Sequence, residues 1–329
     1  MRGKSIAGPV LIAAWCAASL FAWQRGAARR PGQSPATAIR REVAVTFDDL
    51  PLNGPEIRLD TLKSMTDRLT ASIQKNHVPV VGFVNEQKIY KLGEMDARTE
   101  LLKMWLDRGG DLGNHTYSHF SLTETPLEKF EEDVVRGETV SRLLLAQRGM
   151  QLEYFRYPFL HTGPTLEVRK AFEDFLRRRG YENAPVTVDN SDYVFATIYT
   201  KAWQRGDRAT MQRVAEAYVP YLERMFDFYE KLSVETQGRE IPQILLLHAN
   251  LLNADYFDDI VQALRKRGSD FIPLKQALED TAYHQPDGYA GKVGASWLER
   301  WAYTRGMKEK INADPDPPQF VIDLYKNYR

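Results

Sequence analysis

From Glu42 onward, short apolar runs rich in β-branched residues alternate with longer stretches of helical periodicity. That alternation restricts the chain to a mostly parallel α/β sheet or barrel, since parallel strands need a crossover helix between them. The strand candidates are Val43 to Phe47, Val78 to Val84, Asp111 to Asn114, Tyr154 to Arg156, Pro185 to Val188, Ile244 to Leu247 and Asp270 to Ile272. Between them lie amphipathic stretches, for example Leu62, Met65, Leu69 and Ile73, or Val214, Tyr218, Tyr221, Met225 and Tyr229. Seven β/α units can be counted. Gly109-Gly110, Arg179-Gly180 and Arg267-Gly268 fall where helices should stop before the next strand.

The polar clusters fall at the C-terminal ends of these strands: Asp48 and Asp49, His115, Arg156, Asp189 and Asp192, and His248. In parallel α/β folds the loops leaving those ends converge on one face, where binding and catalysis are built. Five clusters far apart in sequence are therefore expected around one pocket.

Residues 1–24 read as a signal peptide or membrane anchor: Arg2 and Lys4 precede an apolar run from Ile6 to Trp23, with Arg25, Arg29 and Arg30 after it. The run lies near the lower limit of roughly 17–20 residues for spanning a bilayer, so an uncleaved anchor competes with cleavage near Ala17, Ala18 and Ser19. Either way the expectation is export, to a periplasmic or extracellular place. Residues 25–41, rich in Arg, Pro, Gly, Ser and Ala, read as a linker, residues 42–282 as the domain, and 283–329 as an appendage packed on it. The 44 Lys and Arg balance the 44 Asp and Glu, so no bulk charge draws the chain to nucleic acid. The only cysteine, Cys16, lies in the N-terminal apolar run and leaves the domain without a disulfide framework. Oligomeric state is not readable.

His115 and His119, four apart, can present imidazole nitrogens to one ion, and Asp49 is the natural third ligand. Such a set suits zinc or a similar divalent metal and leaves a position for water. Taken singly, each cluster has a plainer reading: HxxxH pairs are often surface or capping histidines, and Asp48-Asp49 before Leu50-Pro51 looks like a solvated turn.

Together, Thr46-Phe47-Asp48-Asp49, His115-Thr116-Tyr117-Ser118-His119, Arg156-Tyr157-Pro158-Phe159, Asp189-Asn190-Ser191-Asp192-Tyr193 and Leu246-Leu247-His248 resemble, in order, the five motifs of polysaccharide deacetylases, the NodB-homology carbohydrate esterases. The resemblance, which spans roughly residues 42 to 282, implies a distorted (β/α)7-type barrel, to which the tail adds a C-terminal helical appendage. It also implies metal ligation by Asp49, His115 and His119, with Asp48 as general base on the strand end and its side chain opposite to that of Asp49. His248 is then the general acid, supported by Asp192, and Arg156 orients the base. Phe159 is implied as a backbone oxyanion donor, and Phe159, Tyr157 and Tyr193 as substrate-binding residues.

Many relatives carry Tyr then Gly where this chain has Phe159 and Leu160, and Trp where it has Tyr193, so the groove wall is altered. Asp189 is a supporting candidate only. His161 reads as an exposed loop residue with a groove role as the alternative, while His77 and His284 read as structural or solvated. Residues 195–240 exceed a minimal connection and could shape the groove. Their Trp203, Tyr218, Tyr221 and Phe226 read mainly as packing residues.

The expected function is a metal-dependent hydrolase removing acetyl groups, foremost the N-acetyl of glucosamine units, from an acetylated glycan. An O-acetyl esterase on xylan-type glycan, a non-sugar amide hydrolase and a non-catalytic glycan-binding protein are the alternatives.

Overall fold

The computed structural model describes residues 40–328. The leader and most of the linker lie outside the described residues, and among those described no helix is long and apolar enough to cross a membrane.

Strand β1 (Arg41–Leu50) is followed by helix α1 (Leu59–Lys75), β2 (Val80–Val84), α2 (Met95–Asp107) and β3 (Asp111–Asn114). Then come α3 (Leu127–Arg136), α4 (Thr139–Ala146), β4 (Tyr154–Phe155), α5 (Leu166–Arg178) and β5 (Glu182–Asn183). A helical pair, α6 (Asp192–Gln204) and α7 (Arg208–Gln237), leads to β6 (Gln243–His248), α8 (Leu251–Lys266), β7 (Ser269–Phe271) and α9 (Leu274–Leu278). Helices α10 (Trp297–Thr304) and α11 (Gln319–Tyr328) finish the chain.

All pairings are parallel, in the order β5-β4-β3-β2-β1-β6, with β7 on the start of β1. The expected distorted α/β barrel is present, and one segment closes it. Ala184 N–H donates to Phe155 O on β4, while Val188 N–H donates to Ile244 O and Val188 O accepts from Leu246 N–H on β6. The strand expected at Pro185 to Val188 is accordingly displaced: β5 is only Glu182–Asn183, and Val188 forms a lone bridge to Leu245. The chain must leave one sheet edge to reach the other, so no long ladder can form there.

Strand alternation sorts the core into two layers. Val43, Val45 and Phe47 face the helices, where Phe47 packs on Trp105 and Phe257. Ala44 faces inward with Val81, Phe83, Tyr154 and Ile244, and Thr46 and Asp48 follow it on the same inner face two and four residues on. The helical stripes are buried as their spacing requires, including Leu62, Met65, Leu69 and Ile73 on α1 and Val214, Tyr218, Tyr221, Met225 and Tyr229 on α7. Phe226 is buried with them, whereas Trp203 stays partly exposed. Gly109, Gly180 and Gly268 have positive φ at helix ends, as expected. The C-terminal part is not superficial: Trp297, Leu298 and Trp301 belong to the main core.

Candidate active site

The inward alternation of β1 aims Thr46 and Asp48 at Arg156, which is fully buried. Its Nη2 donates to Thr46 Oγ1 at 3.0 Å, its Nη1 to Asp48 Oδ1 at 3.1 Å and its Nε to Ala184 O at 2.5 Å. The guanidinium also lies 4.5 Å from the Phe83 ring centre. This fork fixes the carboxylate by geometry as well as charge. Burial nevertheless dominates at Asp48 and raises its pKa to about 6, against the lowering by Arg156 and His248.

Strict alternation would turn Asp49 away from Asp48, the opposite side-chain direction expected from the sequence. Instead β1 bulges between Phe47 and Leu50, and Asp49 adopts a left-handed backbone with φ of 67°. Both carboxylates therefore enter the same pocket. Burial would raise the Asp49 pKa, but Lys88, His119 and His115 hold it well below the usual carboxylate range. Asn53 Nδ2 donates to Asp49 Oδ2 at 2.7 Å, and Lys88 Nζ stands 3.0 Å from Oδ1.

His115 leaves the end of β3. Its Nδ1 lies 2.8 Å from the Arg156 carbonyl, an acceptor, so Nδ1 carries the proton and Nε2 presents its lone pair to the pocket. Burial holds its pKa well below the usual histidine value, and burial likewise lowers that of His119. The loop between them is bent by Asn114, whose Oδ1 accepts from Thr116 N–H at 2.7 Å, and by Thr116 Oγ1, which accepts from His119 N–H at 3.0 Å. The ligand atoms of Asp49, His115 and His119 lie within 4.8 Å of one another, the one such cluster among the described residues. This set fits a divalent cation: two neutral imidazoles, one ionised carboxylate, and an Asp49 Oδ1 that is buried without an aligned hydrogen bond.

On the other side of the pocket His248 ends β6, and Asp192 opens α6 beside it. His248 Nδ1 donates to Asp192 Oδ1 at 2.6 Å, and Asp192 Oδ2 accepts from His248 N–H, Asn250 Nδ2 and Asn253 Nδ2 at 2.9, 3.1 and 2.6 Å. Burial would lower the His248 pKa, yet Asp192, with Asp49 and Asp48 behind it, raises it to about 9. A carboxylate with a pKa near 6 and an imidazolium with one near 9 can coexist at neutral pH, the combination needed to accept one proton and deliver another.

Phe159 and Tyr193 form the rim. The Phe159 ring sits 4.4 Å from that of His119, and Tyr193 lies 6.1 Å from His248 and 6.3 Å from Tyr325 of α11. Tyr157 is different: its ring is buried against Phe155 and Phe172, which removes it from any groove and corrects the expected substrate contact. His161 is half-buried rather than exposed, bonded through Nδ1 to Ser121 Oγ at 2.8 Å. Asp189 is half-buried and accepts from Ser191 N–H, away from the hydrogen bonds that hold His248.

Lys88, Asn53, Asn250 and Asn253 were not anticipated. Only the last two carried a signal, since Asn250 caps α8 by accepting from Asn253 N–H directly after His248. Backbone strain is concentrated here as well. Among the described residues eight non-glycine residues have positive φ, and Asp49, Thr116, His119, Phe159, Leu160 and Ser191 are six of them.

Residues 36–174 match the polysaccharide deacetylase family. That span carries Asp48, Asp49, His115, His119 and Arg156, while Asp192 and His248 lie beyond it and join them only in the fold. Comparison with curated protein sequences finds no match. Among solved structures, a mutant of a CE4 family pseudoenzyme with restored enzymatic activity is 17% identical, with 73% of this chain and 68% of that chain covered at a TM-score of 0.47. A family 4 carbohydrate esterase from Streptomyces lividans in complex with acetate is 18% identical, over 72% and 95% of the chains, at 0.44. A peptidoglycan N-acetylglucosamine deacetylase is 16% identical, over 72% and 87%, at 0.46.

Proposed function

We propose that this chain, whose residues 36–174 match the polysaccharide deacetylase family, is a member of it and a metal-dependent hydrolase that removes acetyl groups, foremost the N-acetyl of glucosamine units, from an exported or cell-envelope glycan. The observation that carries the reading is the arrangement around the Asp49, His115 and His119 cluster, with a carboxylate held by Arg156 on one side and an imidazolium held by Asp192 on the other.

Asp49, His115 and His119 would hold the divalent ion, for which zinc suits the ligand types. Such an ion, when bound, polarises the acetyl carbonyl and acidifies water. Asp48 takes the proton from the attacking water, and Arg156 keeps its carboxylate aimed and ionised. The Phe159 backbone N–H donates to the oxygen that gains charge as water adds to the acetyl carbon. His248 gives its proton to the leaving nitrogen as the carbon–nitrogen bond breaks, so the products are acetate and a free amine. Asp192 keeps that imidazole charged and oriented until the transfer.

Export rests on the basic-then-apolar N-terminal segment, which suits a polymer substrate outside the cytoplasm. The deciding experiment measures acetate release by protein from residue 40 onward, metal-free and reloaded with zinc, on chitin oligomers, peptidoglycan and acetylated xylan. Metal-dependent release from the first two supports the reading. Release from xylan alone makes the protein an O-acetyl esterase, and no release from any substrate with any divalent metal sinks the proposal.

A further inference from the structure

Phe159 and Leu160 are consecutive residues with φ of 58° and 55°, a left-handed pair that side chains disfavour. Two turn hydrogen bonds, Leu160 N–H to Tyr157 O and His161 N–H to Pro158 O, both at 3.1 Å, hold the loop locally, and neither residue is a glycine that would relieve the strain. The surface pressed against it comes from the C-terminal segment. A Cβ added to Gly294 would lie 1.9 Å from Phe159 O and 3.3 Å from Leu160 Cβ. The first distance is far inside contact with a backbone atom, and the φ of Gly294 is not in the left-handed region, so glycine is needed there for close approach alone.

The segment carrying Gly294 is fastened so that it cannot retreat. Trp297 N–H donates to Val186 O at 2.8 Å and Ser296 Oγ to Thr187 O at 2.7 Å. Ser296 and Glu299 form a capping box that fixes the start of α10. Arg300, fully buried, donates to Thr162 Oγ1 at 2.8 Å and pairs with Asp287, and Arg169 of α5 donates to Tyr289 O at 2.9 Å. Thr162 lies two residues beyond Leu160, so the turn is gripped at its carbonyl by Gly294 and just downstream by Arg300.

We infer that Gly294, with the Ser296–Arg300 stretch that anchors it, clamps the Pro158–Leu160 turn, and that Gly294 is a positioning residue of the reaction, acting through the main chain of Phe159. The inference rests on the role proposed for the Phe159 N–H. It gives the C-terminal segment a task in turnover besides its share of the core: a displaced turn moves both that N–H and the ring packed on His119.

The test compares Gly294→Ala with Gly288→Ala. Gly288 lies in the same segment, but a Cβ there meets only Thr304 at an ordinary 3.5 Å. On an acetylated chitin oligomer, Gly294→Ala should lose about tenfold or more in kcat with KM within about twofold and one metal still bound, the pattern of a lost transition-state contact. Gly288→Ala should match the parent. If Gly294→Ala does not fold, Thr162→Val, which cuts the Arg300 tie without adding bulk, should lower kcat roughly three- to tenfold in the same pattern. A folded variant with parental kcat overturns the clamp. In 15N-phenylalanine-labelled protein the Phe159 amide resonance should move in Gly294→Ala and not in Gly288→Ala. That readout needs no turnover, so an inactive parent would defeat the proposed function while the amide still decides the clamp.

Discussion

Replacing Asp192 by Asn tests the electrostatic core of the site. Asp192 Oδ2 already accepts three hydrogen bonds, from His248 N–H, Asn250 and Asn253, so the amide oxygen of the variant takes that place and its NH2 faces His248 Nδ1. A donor there forces Nδ1 to accept, which favours the neutral ring. Asp192 is the chief cause raising the His248 pKa to about 9, while burial pulls the other way, so without it the value should fall to the ordinary 6.5 or lower. At about 1.4 kcal/mol per pH unit, the protonated form loses roughly 3 kcal/mol. At pH 8 the protonated fraction drops from about 90% to about 3%, a rate loss of roughly 30-fold, shrinking to about fourfold at pH 7.

The linkage sign also follows. A histidine whose folded pKa is raised stabilises the fold fully below 6.5 and loses that contribution as pH rises through about 9, so the stability gap between parent and variant should close above that pH. The assay is the pH profile of kcat for acetate release, with thermal melts at matched pH values. An alkaline limb that stays near pH 9 in Asp192→Asn would refute the assignment of His248 as the acid held charged by this pair.

Other perturbations separate the remaining roles. Asp48→Asn should lose about a thousandfold in turnover or more while titrating with one zinc, whereas His115→Ala should lose the metal; equal metal loss in both makes Asp48 a ligand. Arg156→Met removes the cation beside Asp48, so the acid limb of the rate profile should climb above about pH 6, and melting should show a cost of about 3–5 kcal/mol for the uncompensated buried charge. Lys88 Nζ, 3.0 Å from Asp49 Oδ1, competes with a metal for that oxygen, so Lys88→Met should tighten zinc binding roughly three- to tenfold in a chelator competition; weaker binding would show that Lys88 supports the site.

How much of this was legible in the sequence differs from residue to residue. The α/β order, the seven strand positions within a few residues, and the placement of Asp48, His115, Arg156 and His248 at strand ends follow from local periodicity, which one chain segment expresses by itself. The closing strand was misplaced because Glu182 to Val188 serves two sheet edges at once, a demand made by the barrel and not by the segment. Tyr157 was read as a groove residue because a motif gives spacing but not side-chain direction, and the inner packing of Phe155 and Phe172 decided that direction. Alternation alone would have sent Asp49 outward, and only the bulge of β1 turned it beside Asp48.

The sequence by itself thus determined which chemical groups are present and on which end of the fold they fall, because side-chain identity and periodicity are local properties. The tertiary structure decided their protonation and their strain. Whether a carboxylate titrates near 6 or a histidine near 9 depends on burial and on charges brought from distant segments. The left-handed turn at Phe159 and Leu160 likewise meets a glycine more than a hundred residues away.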